Sequence, residues 1–365
     1  MARKFAAVVF SLGCVHASSV WSLGLGELSL ESFLNEPLKA KVDLLNTDGL
    51  HEDEIRIRLA TKEDFVPPRG HKVLFTLAPI IALVPVVLVF TVIPFAPPLC
   101  LDQAGTVAGK TAGWMSLCSE PQQMQVANLD IGLLFVFAIA SLGVYGTALA
   151  GWASYNGYAL LGGLRASAQM LSYEITMGMA LVGAFIVYGT LEPGALVQKQ
   201  SSIVNWGIVQ QPLGFILFFF AAIAETKRAP FDLPEGESEI VGYFVEYSGA
   251  RFMTFYLGEF MEIVFVGCIV TTVFLGGWQM PGLTPQGVFG LEAPHLVVVL
   301  LGFFVFVVKV FLVCFLQLAI RWSVPRLRYD QLMRLGWKGM LPASILNVVI
   351  TAVIVLWSQA AHAVR

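Results

Sequence analysis

From residue 66 onward the chain alternates long apolar runs with short polar connections. Seven runs stand out, at about residues 73–95, 130–151, 172–188, 207–224, 255–274, 296–320 and 341–357. Crossing a hydrocarbon core takes about 20 apolar residues as a helix, the spanning structure that satisfies its own backbone. The pattern before residue 66 is different. Arg3 and Lys4 precede a short apolar run, with Val20 and Ser22 placed for cleavage, so residues 1–22 read as a secretory signal. Residues 23–66 are polar and acidic, and there Leu38, Ala40, Val42 and Leu44 alternate with Lys39, Lys41 and Asp43, the two-residue period of a half-buried strand. The expected architecture is an all-α polytopic membrane protein, a bundle of about seven transmembrane helices preceded by a small β-containing polar segment.

Composition agrees, since 57% of the residues are hydrophobic, 13% are charged and the mean hydropathy is +0.75. That exceeds what a soluble core uses. A net charge of −3, with thinly spread basic residues, gives no field for nucleic acid. The five cysteines, Cys14, Cys100, Cys118, Cys268 and Cys314, have no CxxC spacing, so neither an iron–sulfur cluster nor a zinc site is readable. No cofactor is expected on the chain itself. Lys and Arg set the orientation: Arg69 and Lys72, Arg165, the group Lys227, Arg228 and Arg251, and the group from Arg321 to Lys338 fill every second connection. Lys110 and Lys199 are all that the alternate connections hold. The first run therefore enters from the cytoplasm. A cleaved signal would impose the opposite sense, so one of the two topogenic signals must yield.

Acid is concentrated where the chain otherwise avoids charge. The stretch "ETKRAPFDLPEGESE" places five carboxylates, Glu225, Asp232, Glu235, Glu237 and Glu239, in fifteen residues. Nearby are Glu174, Glu246 and the pair Glu259 and Glu262, which are one helical turn apart; Asp130 and Lys309 also fall in apolar runs. Ionisable groups at membrane depth are costly and usually face a protein interior or wet cavity where proton relays are built. Burial and like-charge neighbours bring carboxyl groups into exchange range, and Glu235, Glu237 and Glu239 would titrate as a coupled set. Simpler readings stand beside this one: a solvated acidic loop, a static Glu259–Lys309 ion pair, or a headgroup position for Glu262.

The segments "NLDIGLLFVFAIASLGVYGTALAGWASYNGYALLGGLRASAQMLSYEI", "AETKRAPFDLPEGESEIVGYFVEYSGARF", "LGGWQ" and "RWSVPRLRYDQLMRLGWKGMLP" resemble the membrane-embedded H subunit of respiratory complex I, the proton-pumping NADH:quinone oxidoreductase. The resemblance runs from about Pro67 to near the C-terminus. It implies a component of the bacterial inner membrane that carries no redox centre and forms part of the quinone chamber. Implied partners are the peripheral-arm quinone-site subunits, the antiporter-like membrane subunits, quinone as substrate and the lipid bilayer. By motif match, Glu174, Glu225, Glu246 and Glu259 correspond to acids along the charge route, and Asp232, Glu235, Glu237 and Glu239 to the acidic loop near the chamber. Arg228, Arg326, Arg328 and Asp330 match polar cytoplasmic loops.

The segment "LGLGELSLESFLNEPLKAKVDLL", followed by "HEDEIRIRLATKEDF", resembles the start of FimV-type pilus-assembly proteins. The complex I family begins with a transmembrane helix and a quinone-access segment, and neither is expected before Pro67, which implies a fusion of two unrelated pieces and an inactive isolated chain. Gly143, Gly146 and Gly151 would let the remaining helices pack closely. Two alternatives belong to other classes. A carboxylate-coupled secondary transporter should show broken helices in two repeats, and a membrane-anchored pilus scaffold needs a single anchor.

Overall fold

The computed structural model describes residues 24–30, 40–45, 66–67, 70–99, 122–233, 242–284, 287–288, 291–292 and 294–363. The chain divides into two compact units, Met1–Phe65 and Val66–Arg365.

In the first unit, β1 (Gly24–Leu30) pairs antiparallel with β2 (Ala40–Leu45), Leu30 lying opposite Ala40 and Leu25 opposite Leu44. Of the alternating stretch read from the sequence, Ala40 to Leu44 falls on β2, and Leu38 and Lys39 lie outside the described residues. The register shifts between Leu25 and Leu28, the mark of a bulge. The signal expected over residues 1–22 lies outside the described residues.

The second unit is helical. Its main elements are α1 (Lys72–Val89), α2 (Gly132–Ala140), α3 (Leu142–Ala153), α4 (Gly157–Tyr188), α5 (Pro193–Lys199), α6 (Gly207–Gln210), α7 (Pro212–Glu225), α8 (Gly249–Phe274), α9 (His295–Ser323), α10 (Tyr329–Arg334) and α11 (Leu341–Ala363). A π-helical turn, Leu335–Met340, joins the last two. Small antiparallel pieces fill connections: β3 (Ala96–Leu99) pairs with β4 (Gln122–Met124), and β5 (Leu283–Thr284), β6 (Gly287–Val288) and β7 (Leu291–Glu292) form a three-stranded patch.

Six helical stretches among the described residues are long and apolar enough to cross a membrane, and α7 is a shorter apolar helix. Seven full-length crossings were expected, so the fourth run is the exception. Its 14 residues reach about 21 Å, less than a hydrocarbon core of about 30 Å. The shortfall has a local cause. The run breaks at Gln211, because Pro212 supplies no N–H to continue α6. Such a break at membrane depth needs polar partners inside the protein. Gln211 finds them on α11, where its Nε2 donates to Thr351 Oγ1 at 2.7 Å and its Oε1 accepts from Asn347 Nδ2 at 3.0 Å.

Two run boundaries shift. Arg165 suggested a connection ending near residue 172, yet α4 begins at Gly157 and simply carries Arg165 in its first turns, 5.7 Å over the Tyr329 ring. The fifth run likewise begins at Gly249, ahead of residue 255. A charged side chain near a helix end can extend past the apolar layer, so it does not terminate the helix.

Packing brings α1 against α3 and α8, α4 against α3, α7 and α11, and α8 against α9. Tyr173, Leu181, Phe218, Val270 and Phe274 fill the main core. A Cβ at Gly146 would meet the Ala82 backbone N at 2.6 Å, and one at Gly151 the Ala159 carbonyl at 2.6 Å, so both permit backbone contact between helices. Gly143 does not share that role, having nothing within 4 Å. Outward faces of α9 and α11 expose Phe304, Phe311, Ile354 and Trp357, apolar surface that suits a bilayer or a neighbouring membrane protein.

Candidate functional site

The site is built where α7 ends. Glu225 is the last residue of α7, and Thr226 caps the turn by donating from Oγ1 to Ile223 O at 2.9 Å. Lys227 then adopts φ 56°, a left-handed conformation uncommon outside glycine. The reversal leaves Lys227 and Arg228 buried, at 3% and 7% exposure, although they sit in the most polar motif of the chain. The following turn closes through Phe231 N donating to Arg228 O at 2.8 Å and Leu233 N to Phe231 O at 2.9 Å. Leu327 N donates to Pro230 O at 3.2 Å and ties this turn to the connection after α9.

Helix α8 supplies the facing carboxylates. Glu259, only 2% exposed, places Oε2 2.7 Å from Arg228 Nη2, and its Oε1 accepts from Tyr243 Oη at 3.3 Å. The Arg228 guanidinium also lies 5.3 Å over Tyr256 and 5.0 Å over Phe260, so one plane stacks while its edge bonds the acid. One turn on, Glu262 Oε1 lies 3.9 Å from Lys227 Nζ. Glu174 of α4, Glu262 and Lys227 all act electrostatically on Glu225; Glu259 and Arg228 act on Glu262. Asp232 feels Glu259, Arg228, Arg321 and Arg326. The carboxyl groups thus form a continuous series, Glu174, Glu225, Glu262, Glu259 and Asp232, served by two buried cations, Lys227 and Arg228. The carboxyl groups therefore outnumber the buried cations beside them.

Several buried polar atoms of this region make no hydrogen bond within the described residues: Glu262 Oε2, Arg228 Nε, Asp232 Oδ1 and Gln169 Oε1. Glu225 and Glu262 both line a small cavity of about 30 Å³, bounded on its apolar side by Val86, Met170 and Phe265. A neighbouring cavity of about 20 Å³ also touches Glu225. Room together with unmet polar groups is what buried water requires. Asp232 lies outside the membrane helices, and burial pushes its carboxyl above the usual range, with Glu259 adding to the rise while Arg326, Arg228 and Arg321 oppose it.

The residues singled out from the sequence are only partly brought together. Glu174, Glu225, Glu259, Asp232 and Arg228 meet in the cluster. Arg326 is exposed yet acts on Asp232, whereas Arg328 and Asp330 lie on the exposed start of α10, where Arg328 N donates to Gln331 Oε1 at 3.2 Å. Glu246 stands apart in the turn before α8, accepting from Asn156 Nδ2 at 2.7 Å beside a stacked Phe75–Tyr247 pair. Burial there pushes the Tyr247 phenol up. Glu235, Glu237 and Glu239 lie outside the described residues. Glu262, left open between lipid and interior, faces the cavity. Its three-residue spacing from Glu259 was the available signal. Lys227 and Gln169 were missed, and nothing in their local sequence marks them as buried.

One expectation is overturned. Lys309 does not pair with Glu259; its Nζ donates to the carbonyls of Leu275, Gly277 and Gln279 at 2.7, 3.0 and 2.5 Å and lies 4.4 Å over Trp206. The physical reason is the end of α8: positive φ at Gly276 and Gly277 curls the chain so that its free carbonyls converge on the ammonium.

A multi-pass bundle of apolar helices with a cluster of carboxyl groups in its interior defines an integral membrane protein. Residues 56–352 match the family described as NADH dehydrogenase, and residues 23–69 match the FimV N-terminal domain Ig-like domain. The H subunit of NADH-quinone oxidoreductase from Syntrophotalea carbinolica is 42% identical over 302 residues, covering 82% of this chain and 81% of the relative. An H subunit of the same enzyme from Geobacter sulfurreducens is 43% identical with the same coverage, and one from Solibacter usitatus is 37% identical over 350 residues, 83% of this chain and 84% of the relative. The chain belongs to the NADH dehydrogenase family. The match over residues 56–352 decides for the respiratory complex over the transporter and the pilus scaffold.

Proposed function

We propose that the carboxyl series conducts charge between the quinone chemistry of NADH-quinone oxidoreductase and the rest of its membrane arm. The chain is a membrane subunit of that complex and works beside its other subunits. In this reading residues 67–365 are the working domain, quinone is the substrate of the complex, and this chain contributes chamber wall and pathway without a redox centre of its own. Asp232, with Glu235, Glu237 and Glu239 in the same loop, faces the quinone chamber on the cytoplasmic side. Glu259, Glu262, Glu225 and Glu174 lead inward toward the antiporter-like subunits, and the peripheral-arm subunits close the chamber. Arg228 and Lys227 hold the field of the route, Arg326 tunes Asp232, and Arg328 and Asp330 face the peripheral arm. Glu246 lies at the edge of the same cytoplasmic surface.

The observation that supports this reading most is the placement of Glu225 between Glu174 and Glu262 at a cavity wall. A carboxyl in that position can accept a proton from one neighbour and release it to the next, which an amide cannot do. Glu225→Gln in the complete complex should lower NADH:quinone turnover and proton translocation on the order of a hundredfold. NADH:ferricyanide activity, which reports assembled peripheral arm, should stay at the parental level. Normal turnover and proton translocation in Glu225→Gln would leave the cluster a static ion-pair network.

A further inference from the structure

Gln169 of α4 is fully buried, at 0% exposure, and its Nε2 donates to Ala224 O at 2.7 Å and to Phe231 O at 2.9 Å. Those carbonyls belong to the residues immediately before Glu225 and Asp232. One amide nitrogen therefore closes the loop that separates two acids of the series. An amide NH2 has two hydrogens, and here both are spent, one on each carbonyl. Asparagine is one methylene shorter and cannot reach both; leucine fills the volume with no donor. The remaining oxygen, Oε1, is buried with no hydrogen bond within the described residues, a cost that an apolar residue would avoid. The same helix supports the loop a turn later, where the Tyr173 ring lies 6.3 Å from that of Phe231.

We propose that Gln169 is a positioning residue of the charge pathway, setting the separation and facing of Glu225 and Asp232 by clamping the carbonyl that precedes each. This rests on the functional reading above. Glu225 is faced by Glu174 from α4, Glu262 from α8 and Lys227 from its own turn; Asp232 is faced by Glu259 from α8, Arg321 from α9, Arg326 from the connection after it, and Arg228. Glu225 and Asp232 are linked through Glu262 and Glu259, and each step of that link depends on distance, so a clamp on both loop ends holds the two acids at the spacing the link needs. Without it the loop relaxes and water reaches Asp232.

The test uses Gln169→Asn and Gln169→Leu in the complete complex, with coupled NADH:quinone turnover followed against pH and NADH:ferricyanide activity as the measure of assembly. Gln169→Asn, which can keep one of the two bonds, should assemble near the parental level and Gln169→Leu somewhat below it, and turnover per assembled complex should fall between about tenfold and about a hundredfold. The limb of the pH profile set by the loop carboxyls should move to lower pH as Asp232 becomes hydrated. In an Asp232→Asn background, Gln169→Leu should cost much less than it does alone, because it acts through the loop acids. An unshifted profile in the assembled variants would overturn the proposal, as would a full independent loss in the Asp232→Asn background. Failure of both variants to assemble would also overturn it and make Gln169 a folding residue. A Glu225→Gln variant with normal coupled turnover would instead sink the pathway reading itself, whatever the Gln169 variants do.

Discussion

Two regions of this bundle bury charge at helix ends, and they do so in opposite ways. At the C-terminal end of α8, Lys309 gives its ammonium hydrogens to three carbonyls and lies over Trp206. At the C-terminal end of α7, Glu259 and Glu262 from the middle of α8 share Arg228 and Lys227 with Glu225 and Asp232 and leave oxygen atoms without hydrogen bonds, and Glu225 and Glu262 line a small cavity. The first arrangement is saturated. A half-buried ammonium with three carbonyl partners is held in one geometry and serves as a structural tie. The second has more acids than buried cations and keeps unmet polar atoms beside a small cavity. Saturation marks architecture, and incomplete satisfaction beside a cavity marks a place where charge can move.

The comparison can be broken most sharply at Lys309. Lys309→Met leaves three carbonyls without their shared donor, each costing about 1–3 kcal/mol. Assembled complex in membranes should fall severely on native gels, while turnover per assembled complex stays near parental. Loss of turnover with normal assembly would place Lys309 among the working charges.

Arg228→Lys should have the next largest effect. A lysine keeps the charge opposite Glu259 but loses the planar contact with Tyr256 and Phe260. Destabilisation of about 1–2 kcal/mol is expected, read as a lower thermal midpoint of the solubilised complex. Arg228→Gln should be worse, since it strands Glu259.

Glu262→Gln keeps the shape of the cavity wall and removes one exchangeable site. Turnover should fall on the order of tenfold, less than for Glu225→Gln, because Lys227 at 3.9 Å is its nearest charged partner and the neighbouring Glu259 retains Arg228. Unchanged proton translocation would move Glu262 to the structural side of the comparison.

The smallest effect concerns pH and Asp232. Its carboxyl is raised by burial, so the folded chain still holds a proton that the unfolded chain has released. Stability should therefore decline as pH rises from the ordinary aspartate value, about 3.9, through the raised one. Asp232→Asn should flatten that part of the pH-stability curve of the solubilised complex. An identical slope in the variant would show that Asp232 is hydrated.

The helical membrane class was determined by the sequence alone, because runs near 20 apolar residues have few other ways to satisfy their backbone. So was the identity of most cluster acids, since carboxylates amid apolar sequence are too costly to be incidental. Motif spacing could also single out Arg228, yet not its partner. The pairing was a matter of tertiary structure: Glu259 met Arg228 across the end of α7, and Lys309 met the carbonyls ending α8, because partner choice depends on which helix ends lie level after packing. The shortness of α7 likewise follows from a local break at Pro212, where the Gln211 side chain finds its partners on Asn347 and Thr351 of a distant helix. Gln169 shows the limit most clearly. Its sequence neighbourhood, "RASAQMLSYE", is ordinary helix, and its meaning comes from two carbonyls 55 and 62 residues away that folding carries to one nitrogen.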